Sequence, residues 1–180
     1  MPRLPYLNRD DLAEEDRDIF DRIEKERGSV HNIFRMMAYA PHLLRKYIEW
    51  STELRFKTAL DPKLRELAIM TVGRLTDAQY EYTHHWNAAR KLGLPAEKLS
   101  QLADYEKSPL YDDRERAVIR YAVEATRDVK VSDATFNKVS DLLDNNRILM
   151  ELVMLVAGYN LVVRVLVPMQ VELEPGTKLA

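Results

Sequence analysis

The chain of 180 residues contains no cysteine. That one absence removes disulfides, iron–sulfur clusters, thiolate zinc sites and every thiol nucleophile. Glycine is scarce at 5 residues, and the 8 prolines fall mostly between apolar blocks rather than inside them. Phosphate-binding glycine loops, dinucleotide fingerprints and Gly-x-Ser-x-Gly elbows do not occur, so nucleotide and serine-hydrolase chemistry drop out. An excess of charge is missing too: 27 basic residues face 29 acidic ones, for a net charge of −2 at pH 7. No general field exists to draw in nucleic acid or anionic membrane, and neither is expected as a partner. The amino terminus, Met1 to Asn8, holds no apolar core of signal-peptide length, and no stretch elsewhere reaches roughly 18 uncharged apolar residues. A cytoplasmic location is the expectation.

What is present is a helical pattern. Apolar residues make up 46% of the chain, enough for one domain with a real core. They recur at helical spacing, while strict alternation is rare, so the fold class is all-α. The spacing predicts a first helix over Asp11–Arg27, ended by Gly28, and a short helix capped by Ser29 through Met37. A third begins at Pro41 and fades near Lys57. From Pro62 to Leu75 apolar residues nearly encircle the helix, as in an interior element. Asp77 is expected to cap the next helix, which stops at Gly93. A short helix over Pro95–Ala103, a loop at Ser108–Asp113 and helices over Arg114–Arg127 and Asp133–Leu143 follow. The last begins near Asn146, and Pro168 should kink or end it, leaving 171–180 as a tail.

Three residues stand out chemically. Glu66 lies in a helix that is apolar almost all round, where its neighbours Ile69, Met70 and Gly73 offer no charge, so a partner must come from elsewhere in the fold; the bland alternative is an ordinary ion pair near the helix start, with Lys63 or an arginine. Glu81 and His85 stand at i and i+4 on the next helix and meet on one face with Ala88, Ala89 and Leu92. A carboxylate beside imidazole fixes its tautomer and raises its pKa toward working pH, as proton transfer requires. The same spacing also suits a plain stabilising pair worth about 0.2–0.5 kcal/mol. His84 points about 100° from His85 and cannot join it on one metal. Glu81-x-x-His84 lacks the second copy that a di-iron bundle needs, so no metal site is expected. Tyr80, Tyr82, Trp86 and Tyr159 could wall a ligand pocket. Arg65, Arg74, Arg147 and Arg164 are candidate clamps for a substrate carboxylate.

The run from Arg65 to Leu94, with Glu66, Ala78, Glu81, His85, Ala89 and Gly93 at set distances, resembles the core of the carboxymuconolactone decarboxylase and alkylhydroperoxidase D superfamily. Segments Gly28–Arg35, Asp113–Val118 and Glu151–Leu166 look like other parts of that superfamily. The likeness spans about residues 28–174 of a single domain covering 1–180, behind an amino-terminal helix over 11–27. It implies an AhpD-like helical bundle that assembles as a trimer or hexamer, with a dimer as the other order. In the peroxidase branch the positions matching Ala78 and Glu81 are a Cys-x-x-Cys pair, absent here. The decarboxylase branch instead carries Glu-x-x-x-His, which this chain matches at Glu81 and His85. The resemblance thus implies a cofactor-free lyase acting on a small carboxylated, lactone-like or aromatic-derived acid. Its catalytic residues would be His85, Glu81 and Glu66, and Tyr80, His84, Trp86, Tyr159 and Arg164 are assigned to substrate binding. The alternatives are an antioxidant protein without redox cysteines and a non-enzymatic ligand-binding protein on the same scaffold.

Overall fold

A computed structural model describes residues 1–179. Nine α-helices carry these residues, with no strand among them, as the spacing predicts. They are α1 (Asp18–Arg27), α2 (Asn32–Met37), α3 (Pro41–Phe56), α4 (Pro62–Leu75), α5 (Gln79–Lys91), α6 (Ala96–Ser100), α7 (Asp113–Arg127), α8 (Asp133–Leu142) and α9 (Asn146–Met169). By their contacts the described residues group into two compact units, 1–57 with 166–177, and 58–165 with 178–179.

In the first unit α1 and α2 both pack on α3. Residues 9–11 and 14–16 form 3-10 turns, so α1 starts at Asp18 rather than Asp11. The acids Asp10, Asp11, Glu14, Glu15 and Asp16 crowd this stretch with few apolar residues, leaving it no face to bury. Gly28 does close α1 in the left-handed conformation, φ 84°, which costs glycine nothing. His31, not Ser29, stands at the N-cap of α2. The Arg27 guanidinium lies 5.1 Å from the Phe34 ring and bonds the hydroxyls of Ser51 and Thr52, tying α1, α2 and α3 together through one side chain.

The second unit is built on α4, which packs on α5 and α7, while α8 packs on α7. Nine of the 14 residues of α4 are buried, Glu66 among them. Around it Leu67, Met70, Trp86, Ala89, Leu99, Tyr111 and Ile119 form a continuous core. Pro62 suits the first turn of α4, and the Asp61 carboxylate accepts from the amides of Lys63 and Leu64. Asp77 does not cap α5: it adopts φ 52°, and Ala78 takes the N-cap with no side-chain bond. The chain must reverse within three residues between two packed helices, and Asp tolerates the left-handed conformation that the reversal needs. A capping box between Asp112 and Glu115 starts α7, and the Ser132 hydroxyl caps α8 by accepting from the Thr135 amide. Pro168 sits in the last turn of α9 and ends it one residue later. By length and composition α9 could cross a membrane, with mean hydropathy 1.9 over its most apolar window. Of that window, 44% is buried within the chain.

Asp61→Ala should lower the unfolding free energy by about 1 kcal/mol, because two amides at the start of the central helix lose their acceptor. Chemical denaturation checks this, and an unchanged midpoint would show that the cap carries no stability.

Candidate active site

Glu66 is fully buried in the middle of the second unit, where a lone carboxylate would be costly. Its partner comes from α5: the Glu66 Oε2 and His85 Nδ1 atoms lie 2.5 Å apart. On the other side of the ring, Glu81 Oε1 lies 2.9 Å from His85 Nε2. The imidazole is therefore held between two carboxylates, one on each nitrogen. Arg65 adds a fourth charge, its Nε donating to Glu66 Oε1 at 3.1 Å. With His85 protonated the cluster carries two negative and two positive charges, and with His85 neutral it carries a net negative one.

This balance decides the protonation of His85. Burial pushes its pKa down, but the charge and hydrogen bond of Glu66, then those of Glu81, outweigh burial and raise it above its ordinary value near 6.5. Glu66 holds Nδ1 and Glu81 holds Nε2, so the carboxylates face opposite sides of the ring. They cannot join His85 in ligating one ion from a common side, so the trio is arranged for protons rather than for metal.

Sequence spacing explains half of this geometry. Glu81 and His85 share a face because they are one helical turn apart. Bringing that face to Glu66 depends on Gly73. A Cβ built there would lie 3.1 Å from the Tyr82 backbone nitrogen and 3.5 Å from Glu81 Cβ. Glycine lets α5 approach α4 closely enough for His85 to reach Glu66. The signal in the sequence was a single glycine inside an otherwise apolar helix, a mark of close packing. An arginine near the start of α4 was the ordinary partner expected for Glu66, and Arg65 takes that place although adjacent helical residues do not face each other.

The residues assigned to substrate binding fare differently. Tyr159 meets the centre, its ring edge-on to His85 with centroids 5.1 Å apart. Tyr80 and His84 stack on each other at 4.6 Å, one helical turn apart on a neighbouring face of α5. Trp86 is buried against Leu67, Met70 and Tyr82 as part of the core, because its position 100° round from His85 turns it into the α4–α7 packing. Arg164 is exposed and donates to the Asn160 carbonyl and side chain. It lies five residues beyond Tyr159 on α9, about 140° round the helix, so it does not face His85. Of the four candidate clamps, only Arg65 reaches the centre; Arg147 pairs with Glu151.

Several solved structures share this fold along nearly the whole chain. A peroxidase-related protein from Silicibacter sp. TM1040 matches at TM-score 0.81 and 20% identity, over 97% of this chain and 92% of its own. A peroxidase-related protein from Ralstonia eutropha JMP134, described as an alkylhydroperoxidase AhpD core, matches at TM-score 0.83 and 18% identity, over 97% and 93%. The debrominase Bmp8, as a cysteine-to-alanine variant in complex with 2,3,4-tribromopyrrole, matches at TM-score 0.81 and 17% identity, over 97% and 95%. Identities this low establish the fold alone. The chain is thus an all-α protein of the AhpD-like fold, built without cysteine. Residues 41–124 match the model of the Carboxymuconolactone decarboxylase family. That match covers less than half of the chain, and it stands as a similarity. No curated protein matches the sequence.

Two outcomes follow from this geometry. A group whose folded pKa is raised contributes stability that is complete below its unfolded pKa and disappears as pH rises through the folded value. The stability difference between wild type and His85→Gln should therefore be greatest below about pH 6.5 and shrink above it; denaturation at a series of pH values checks this, and a difference that grows with pH would refute a raised pKa. Gly73→Ala should displace α5 from α4. In a histidine NMR titration the pKa of His85 should fall toward its ordinary value, and an unshifted titration would show that the helices absorb the added methyl.

Proposed function

We propose that the chain is a cofactor-free acid/base enzyme, a decarboxylase-type lyase acting on a small carboxylated compound of lactone-like or aromatic-derived character. One observation carries the reading: a buried imidazole with a carboxylate on each nitrogen, in a chain with no thiol. Such a set stores one proton near working pH and can neither form a disulfide nor act as a sulfur nucleophile.

In the proposed reaction the substrate's carbon–carboxylate bond breaks, its electron pair passes into a dienolate and carbon dioxide leaves. The imidazolium of His85 gives its Nε2 proton to the carbon, and the neutral ring is reprotonated from solvent by way of Glu81. Glu81 is the more open of the two acids, with 8% of its side chain exposed against 1% for Glu66, and it meets the substrate side. Glu66 keeps Nδ1 protonated and stabilises the cation between turnovers, as a buried acid orients a catalytic histidine elsewhere. Arg65 offsets the charge of Glu66, and Tyr159 closes the site beside the ring. The protein works in the cytoplasm as a homo-oligomer, a trimer or hexamer in first preference over a dimer. The exposed Met150, Met154 and Leu161 of α9 support self-association, since apolar side chains at such spacing favour burial against a partner.

A second reading is favoured by how closed the centre is: His85 is 3% exposed and Glu66 not at all. In that reading the three residues are a buried polar lock in a ligand-binding protein. Purified wild type, Glu81→Gln and His85→Ala would be incubated with a panel of carboxylated lactones and related acids, following carbon dioxide release and ultraviolet absorbance. The enzyme reading expects turnover by wild type and a loss of at least about 100-fold in His85→Ala. Equal turnover in His85→Ala would exclude His85 as the proton donor, and unfolding of both variants without wild-type turnover would favour the lock.

A further inference from the structure

A cleft of about 910 Å3 opens in the second unit, away from the His85 centre, between the carboxyl-terminal part of α4, the segment after α6, and the ends of α7 and α8. Its size falls within the roughly 300–1,000 Å3 common for small-molecule sites. The aliphatic part of its lining comes from Leu75, Leu102, Ala103, Val123 and Val131.

The charges around it are unequally used. Arg120 bonds Glu106 and Glu124 together. Glu124 also accepts from the Ser132 amide and the Thr135 hydroxyl. Burial works against its charge, but Arg120 and these donors hold its pKa down to about 2. Two acids of the cleft are thereby spent on one arginine, and Asp133 sits in the first turn of α8, where the helix end favours it. Arg74, Lys107, Arg127 and Lys130 also line the cleft, and none makes an ion pair or side-chain hydrogen bond among the described residues. Across the whole lining five acids match five cations, so these four side chains offer uncommitted donors rather than a net positive charge.

The turn that carries Lys130 is held under constraint. Val129 adopts φ 61° and is 83% exposed, a conformation that a β-branched residue rarely takes. Glu124 pins the turn on both sides, its carbonyl accepting from the Asp128 amide and its carboxylate from the Ser132 amide. Strain of this kind persists only where the surroundings impose it, and it often marks a binding site. Here it fixes Asp128, Lys130 and Val131 at the rim.

We infer that this cleft is a second ligand site, taking a small organic anion whose apolar body lies on Leu75, Leu102 and Val123 and whose carboxylate is held by Arg127, Lys130 and their neighbours. Arginine and lysine together suit a carboxylate. An inorganic anion would gain the charge but not the apolar contact. The site is independent of the proposed reaction, although α4 is common to both and carries Glu66 at one end and Arg74 at the other.

The test uses the full-length protein, 15N-labelled, titrated with benzoate as probe and with inorganic phosphate at matched ionic strength. Benzoate should give saturable amide shifts at Thr71, Val123, Lys130 and Ser132, and these should persist in His85→Ala. Arg127→Gln combined with Lys130→Gln, both exposed and outside the core, should weaken benzoate at least tenfold while leaving the circular dichroism spectrum unchanged. An equal response to phosphate, shifts confined to the His85 centre, no saturable shift, or an unchanged affinity in the double variant would each overturn the assignment.

Discussion

A carboxylate buried without compensation costs several kcal/mol, and Glu66 is buried completely. The second unit is organised around meeting that requirement. Glu66 needs a cation within hydrogen-bond distance, His85 supplies one from α5, and Glu81 then keeps His85 charged from its other nitrogen. Each group makes the next tolerable, and removing one partner would leave a charge unmatched in the interior. Such networks stabilise a fold only when every member is satisfied. The arrangement therefore fixes the register of α5 against α4 more narrowly than apolar packing could. A slip of one residue would turn His85 by about 100° and strand both acids.

Packing and electrostatics meet at Gly73. The apolar circumference of α4 lets it lie inside the unit, but an apolar surface alone sets no close distance to a neighbour. The missing side chain at Gly73 lets the backbone at Tyr82 come into contact, and only at that separation does a histidine on α5 span the gap to a glutamate on α4. Core and site are thus one construction. The leucines and methionine that bury α4 also exclude the water that would otherwise screen the four charges and weaken their mutual hold.

Much of this was legible in the residues, and the limits follow from what a local pattern encodes. Helical spacing gave the all-α class and the bounds of α3, α4 and α7 to within a residue or two, because their apolar faces and prolines agree with their caps. It misplaced the start of α1 and the caps of α2 and α5, where short polar stretches fit several turns equally well. At the site, one helical turn joined Glu81 to His85, and the solitary charge of Glu66 announced a partner without naming it. That partner is 19 residues away on another helix, a distance that no periodicity reaches. Trp86 lies in the core, the plain role most common for an aromatic at helical spacing, and Arg164 lies at the surface on another face of α9 from Tyr159.

The shared fold and the differing residues divide the question of chemistry cleanly. Relatives of the same fold include proteins described as peroxidase-related and a debrominase studied as a cysteine variant. A thiol would bring electron-pair chemistry, as nucleophile or reductant. A carboxylate at Glu81 brings instead a second hydrogen-bond acceptor for the histidine, which raises its proton affinity and surrenders the nucleophile. Glu81 stands on the first turn of α5, where its carboxylate holds the Nε2 side of His85. In this chain both ring nitrogens of His85 face carboxylates and no thiol is present, so the centre holds a proton and has no sulfur with which to attack.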